Sequence, residues 1–161
     1  MTTTARLPVQ PLRLKMAELA PEAYKAMIRF DAATRHGLDP VLRQLVWIRA
    51  SQINHCAFCI DMHSKDALAA GETAERVIQL PAWRDSKHFY TAKEVAALEL
   101  TEAVTVLTDG FVPDDVFART AEHFEEAELA QLIATITVIN AWNRFAVTTR
   151  MVPGEYVPGE H

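Results

Sequence analysis

Apolar residues recur at three- and four-residue spacing through most of the chain, and no stretch alternates apolar and polar residues in the sustained way a strand requires. The spacing predicts a succession of helices. Leu12 to Leu19 reads as a short one. The next runs from Pro21 to about His36, with Tyr24, Met27, Ile28 and Phe30 apolar, Pro21 in the first turn and Gly37 as the closing residue. Asp39-Pro40 has the form of an N-cap followed by an N1 proline. It opens a helix from Pro40 to about Ile53, in which Leu42, Leu45, Val46 and Ile48 give a broad apolar face. A Cys-bearing helix follows from near Cys56, joined by only Asn54 and His55, and asparagine is given the unusual backbone angles of that bend. Ala74 to Leu80 is a short helix ended by Pro81, and Ala82 to Tyr90 an irregular connector. Thr91-Ala92-Lys93-Glu94 is a capping box that starts a helix to about Thr108. Pro113-Asp114-Asp115 starts another through about Phe124, and a last helix spans Ala127 to about Arg150. The centre of that last helix (Leu129, Leu132, Ile136, Ile139, Trp142) is apolar nearly all round, which predicts burial in the core or between subunits.

The expectation is therefore an all-α fold of about seven or eight helices in a single domain over residues 1–161. Residues 1–11, with Pro8 and Pro11, read as an extended arm packed on the body or a neighbour. Residues 152–161 repeat Val-Pro-Gly-Glu and read as a loose or subunit-docked tail. Half of the residues are hydrophobic, enough for a core without disulfide staples. A net charge of −5 with no basic cluster argues against nucleic-acid binding. No apolar run approaches the ~20 residues of a membrane span, and Met1 to Pro8 holds no secretory apolar segment. The expected location is cytoplasmic, where a disulfide is transient and catalytic rather than structural.

Both cysteines of the chain, Cys56 and Cys59, stand as Cys-x-x-Cys, with His63 four residues on. On a helix the three share one stripe, and an i, i+3 pair falls within the Cα separation that a disulfide tolerates. A helix N-terminus favours thiolate over thiol, and thiolate is the form that attacks disulfides and peroxides. The pattern points to a redox dithiol with an acid/base group beside it. Three plainer readings stand next to it: buried structural cysteines, a static disulfide, and a zinc site. The last lacks a second cysteine pair, with only His63 and His55 to complete the ligands. His63 itself has a plain reading as a core histidine. Asp61 points away from the stripe and reads as a solvated or capping residue. Trp47 and Trp83 read as packing residues and Arg49 as a salt-bridge partner.

The run Leu45-Val46-x-Ile48-Arg49-Ala50-Ser51-Gln52-Ile53-Asn54-x-Cys56-Ala57-Phe58-Cys59-Ile60-Asp61-Met62-His63 closely resembles the alkylhydroperoxidase D-like branch of the carboxymuconolactone decarboxylase family. Ala70-Gly71-Glu72, Trp83-Arg84 and Ile139-Asn140-Ala141-Trp142-Asn143-Arg144 extend the resemblance to roughly residues 20–148. It implies the family's helical fold and assembly into trimers or hexamers. It also implies that Cys59 attacks the peroxide, that Cys56 resolves the sulfenic acid to a Cys56–Cys59 disulfide, and that His63 moves the proton. The family's relay glutamate falls at Gln44, which keeps hydrogen-bonding capacity but cannot carry a proton as a carboxylate does. His55 stands where the family commonly has glycine, which reads either as a surface substitution at a bend or as a second imidazole beside Cys56. Trp142, Asn140, Asn143 and Arg144 match a signature of the last helix, as buried hydrogen-bonding residues or as the wall of a peroxide pocket.

The expected activity is that of a thiol-dependent peroxidase or disulfide oxidoreductase acting on a hydroperoxide. It needs no metal, haem or flavin, but it needs a thiol reductant such as a thioredoxin-like or lipoyl-bearing protein. Muconolactone decarboxylation, the namesake chemistry, belongs to relatives that lack the cysteine pair. A non-enzymatic redox sensor is the third alternative.

Overall fold

A computed structural model describes residues 6–159, and among these the chain forms eight α-helices and no strand. They are α1 (Met16–Leu19), α2 (Pro21–Thr34), α3 (Pro40–Ile53), α4 (Ala57–Ala69), α5 (Ala74–Gln79), α6 (Ala92–Thr105), α7 (Asp114–Ala121) and α8 (Glu126–Thr149). The all-α expectation holds. The cap signals act as read. The Asp39 carboxylate accepts the Leu42 N–H at 3.0 Å, and Thr91 and Glu94 close a reciprocal box at the start of α6. Three boundaries differ. The first helix is a single turn, because Leu12 and Leu14 make no helical bonds and stay exposed. Pro81 does not end α5 outright but sits in a 3-10 turn, Leu80–Ala82, and a second such turn, Lys87–Phe89, shapes the connector. The helix α6 stops at Thr105, short of Thr108.

The centre of the fold is α3. Leu42 and Val46 pack with Leu100, Leu132 and Ile136. Leu45 and Ile48 pack with Ala67, Leu80, Trp83 and Leu98. Trp47 and Ala50 face Cys56, Cys59, Val138, Ile139 and Ala146. One helix thus feeds three clusters, which needs apolar side chains around its whole circumference. The helix α8 was expected to be buried in the core or between subunits. It buries Leu132, Ile136, Val138 and Ile139, but Ile133 and Val147 are 36% and 46% exposed, so it covers the core with one broad face. As expected, Trp47 and Trp83 are buried, and the Trp83 indole N–H donates to Glu102 at 2.7 Å. Arg49 bridges to the same carboxylate at 2.8 Å, and Arg84 reaches it at 2.7 Å.

Both ends of the chain lie on the body. The arm, as far as it is described, crosses the end of α8: Arg13 N–H donates to the Thr149 carbonyl at 2.8 Å and its guanidinium to Thr148 at 3.1 Å, satisfying carbonyls that a helix end leaves open. The tail, as far as it is described, is bonded to its own chain rather than loose. Lys65 donates to the carbonyls of Gly154 and Tyr156, Gly154 N–H donates to Asp61, and the Tyr156 hydroxyl donates to Asp66 at 2.6 Å. Asp61 is therefore a tail anchor rather than a solvated or capping residue. The parts of the arm and tail at 1–5 and 160–161 lie outside the described residues.

Candidate active site

The site is made by the turn between α3 and α4. Cys56 N–H donates to the Ser51 carbonyl at 2.9 Å and His55 N–H to the Gln52 carbonyl at 3.2 Å. That six-to-one and five-to-two pair is a Schellman motif, which requires a left-handed residue at its penultimate position. His55 fills it at φ 53°, while Asn54 is ordinary at φ −81°; the unusual angle belongs to the histidine and not to the asparagine. A glycine would take this angle without strain, whereas a residue with a Cβ pays about 1–2 kcal/mol. Cys56 then serves two helices. Its N–H closes α3, and its sulfur caps α4 by accepting the Cys59 N–H at 3.4 Å.

The two cysteines are unbridged and buried, at 1% and 2% exposure. Their surroundings divide the single easy ionisation between them unequally. The hydrogen bond from the Cys59 thiol lowers Cys56 most, burial opposes it, and the Cys59 N–H and Asn143 side chain add to the lowering, so Cys56 falls to about 7. Cys59 is pushed up by donating to Cys56, by burial and by the charge on Cys56, with Asn143 and Ser51 opposing. Cys56 also holds the cap position of α4, where its sulfur meets the Cys59 N–H.

His63 does not sit as a charged partner to a thiolate. It is buried, its ring lies against Trp47 with centroids 4.7 Å apart, and its Nδ1 has no hydrogen-bond partner. Burial, then the charges of Arg35 and Arg43, lower it to about 3, so the imidazole is neutral at pH 7. Gln44 is one turn before Trp47 on α3, and its Oε1 is also buried without a partner. Arg43 and Arg35 lie over the Trp47 ring at 5.2 and 5.8 Å. Of the two expected relay residues, His63 lies against Trp47, and Gln44 stands one turn before Trp47 on α3.

On the other side of the sulfurs is an amide network. Asn143, 1% exposed, donates to the Ser51 hydroxyl at 3.0 Å and accepts from Asn54 at 2.9 Å. Asn54 also donates to Asn140 at 2.9 Å, and Arg144 returns to the Asn140 carbonyl at 2.7 Å. The hydrogen-bonding reading of Asn140, Asn143 and Arg144 is the one the geometry supports. Ser51 was not singled out in the sequence and Asn54 only as a bend residue, although two polar residues one turn apart at the end of an apolar helix were a legible signal. Trp142 donates to Asp31 at 3.3 Å and packs edge-on to Tyr24 at 5.3 Å, so its N–H joins α8 to α2 while its ring borders the cysteine cluster.

A groove of about 350 Å³ leads to the site, lined by Cys56, His55, Phe58, Val9, Arg150 and Met151 among others. Arm, α4 and the end of α8 meet there. Among the described residues, no group of three or more His, Cys, Asp and Glu side chains has the geometry to hold a metal. Among the described residues, no helix is long and apolar enough to cross a membrane.

A model of the carboxymuconolactone decarboxylase family matches residues 21–103, which include the whole α3–α4 junction. The uncharacterised protein YdfG of Bacillus subtilis is 41% identical over 136 residues, spanning 84% of this chain and 92% of its own. A protein of unknown function from Agrobacterium tumefaciens, provisionally described as the antioxidant defence protein AhpD, has a similar crystal structure. Its TM-score is 0.87 at 35% identity, over 91% of this chain and 100% of the other. An uncharacterised peroxidase-related protein from Ralstonia eutropha, with an alkylhydroperoxidase AhpD core, has a TM-score of 0.75 over 87% of this chain and 74% of its own. At 21% identity it speaks for the fold alone.

Proposed function

The chain belongs to the carboxymuconolactone decarboxylase family, and from that premise we propose that it is a thiol-dependent peroxidase that reduces an organic hydroperoxide with the Cys56–Cys59 dithiol. The observation that carries the reading is the pair of hydrogen-bonded, unbridged thiols on the first turn of α4, at the foot of an open groove. A dithiol so placed reduces the O–O bond by two electrons and ends as a disulfide within one helical turn, with no rearrangement of the fold. Hydrogen bonds from Asn143 and Ser51 support the thiolate form that the reaction needs. The provisional antioxidant description of the Agrobacterium relative points the same way. Turnover then needs an external dithiol, of thioredoxin-like or lipoyl type, to reopen the disulfide by exchange.

The test is consumption of cumene hydroperoxide with dithiothreitol as reductant. The wild type is expected to turn over, and the double variant Cys56→Ser/Cys59→Ser to remain at the uncatalysed rate. Equal rates in the two proteins would remove the peroxidase assignment. Rapid oxidation of wild type by a disulfide reagent in that case would reassign the pair to thiol–disulfide exchange.

A further inference from the structure

The groove at the cysteine turn differs in composition from the rest of the chain. Its walls are apolar: Val9 from the arm, Phe58 from α4, Val147 from α8, and Met151, Val152 and Pro153 beyond it. Val9 and Val147 are 71% and 46% exposed, so these walls are open to a ligand rather than filled by the fold. The chain holds 21 acidic residues against 16 lysines and arginines, yet no acidic residue lines the groove and Arg150 does. The acidic residues nearest in sequence stand elsewhere. Asp61 is taken up by Lys65 and the Gly154 N–H, and Glu155 lies beyond the lining segment.

Arg150 is the one lining residue with a permanent charge. Among the described residues its guanidinium has no hydrogen-bond or ion-pair partner. A second groove, of about 440 Å³ between α3, α6 and α7, shows the contrast. Its arginines, Arg49, Arg84 and Arg119, are all paired to Glu99, Glu102 or Asp115, at 2.7–3.5 Å. The backbone also marks Arg150. It has φ 60° in a Schellman turn, with Met151 N–H donating to the Ala146 carbonyl at 3.0 Å and Arg150 N–H to Val147 at 3.3 Å. Glycine is the low-cost residue at such a position, so an arginine stands there against the local backbone preference. The carbonyls at this helix end, which would repel an anion, are already taken. Those of Thr148 and Thr149 accept from Arg13, and those of Ala146 and Val147 from the turn itself.

We propose, resting on the peroxidase reading above, that this groove selects a hydroperoxide with an apolar chain and one carboxylate, of the free fatty-acid type, and that Arg150 sets the selection. The guanidinium holds the carboxylate in a charge-assisted pair, and the apolar walls hold the chain. The peroxide group is thereby directed to the cysteine pair, which the groove meets at Cys56. The dithiol gives two electrons to the O–O bond, and the products are the disulfide, a hydroxy fatty acid and water. Arg150 takes no part in those bond changes. A neutral ester of the same chain meets the same walls but leaves the guanidinium unpaired, so the discrimination lies in binding and is read in KM rather than kcat. An apolar groove without the arginine would treat acid and ester alike.

The test uses the full chain with dithiothreitol as reductant, and compares linoleic acid hydroperoxide with its methyl ester, both below the concentration at which they form micelles. Wild type is expected to show a KM at least ~10-fold lower for the acid, the size of one hydrogen bond to a charged group. Arg150→Gln, which keeps the Cβ and the backbone angle, should bring that ratio to about 1, and Arg150→Lys should restore part of it. Arg29→Gln removes the same charge from the exposed face of α2, outside the groove, and should keep the wild-type ratio, which separates a local pair from the net charge. A second readout needs no turnover: decanoate, and not decanol, should slow alkylation of the reduced cysteine pair by iodoacetamide in wild type, and should lose that effect in Arg150→Gln. Equal KM for acid and ester in wild type, or a ratio that Arg150→Gln leaves intact, overturns the proposal and leaves the peroxidase reading standing. Consumption of neither hydroperoxide removes the peroxidase reading; protection by decanoate in that case still supports the carboxylate site, and its absence overturns both.

Discussion

The neutral, buried His63 ties the stability of the fold to pH in a way that can be worked from its environment. An imidazole in water titrates near 6.5; burial first, then Arg35 and Arg43, lower His63 to about 3. As pH falls below 6.5, the unfolded chain takes up a proton at this ring and the folded one does not. The unfolded state then binds more protons, so stability falls with pH, with a slope approaching ~1.4 kcal/mol per pH unit that ends only near pH 3. Between pH 7 and 5 the loss from this one residue comes to about 2 kcal/mol. That window lies above the carboxylate range, where Glu102 adds its own term: burial raises it, but hydrogen bonds from Trp83, Arg84 and Arg49 outweigh this and hold it low. The other described histidines, His36, His55, His88 and His123, are exposed, and they are common to wild type and to a His63→Leu variant. Urea unfolding of both proteins at pH 7, 6 and 5 should therefore show the wild type losing about 2 kcal/mol more than His63→Leu across the window. Parallel pH dependences in the two proteins would refute the buried neutral imidazole.

The remaining predictions concern the amides, the ion cluster and the tail. Replacing Asn143 with Leu removes a donor to Cys56 and strands the groups of Ser51 and Asn54; iodoacetamide alkylation of Cys56, with its midpoint near pH 7 in wild type, should move to higher pH, and stability should fall by about 1–3 kcal/mol. Glu102→Leu leaves the Arg49 guanidinium and the Trp83 N–H without their shared acceptor and should cost about 3 kcal/mol, read in a thermal melt as a fall of roughly 6–12 °C, with Glu102→Gln losing less. Tyr156→Phe removes the hydroxyl bonded to Asp66 at 2.6 Å and should speed amide exchange over residues 152–159 while lowering global stability by only about 1 kcal/mol.

Much of the fold could be read from the chain because its signals are local. Asp39-Pro40, the Thr91–Glu94 box and three- to four-residue apolar spacing each act within a turn or two, and α3 and α6 begin where those signals put them. The misreadings come from longer range. The centre of α8 is apolar nearly all round, and which of its faces meets α3 is decided by partners distant in sequence. The tail looked unstructured because Pro and Gly exclude helix and strand, but Asp61, Lys65 and Asp66 hold it by side-chain bonds that no local pattern encodes. At the site, the spacing of Cys56, Cys59 and His63 placed all three on α4, as read. What it could not give was direction: which sulfur meets the groove, and that Arg35 and Arg43 sit near enough to His63 to keep it neutral. The left-handed angle at His55 was missed, because the asparagine beside it is the residue type that more often takes such angles.

The central claim is that the two thiols form one redox centre driven by hydroperoxide. The direct measurement is to add one equivalent of cumene hydroperoxide to fully reduced wild type, count free thiols, and map any bridge by peptide mass spectrometry. The account predicts loss of both thiols together, with a Cys56–Cys59 disulfide and one alcohol formed per bridge. Both thiols still free, with the hydroperoxide unconsumed, would contradict it.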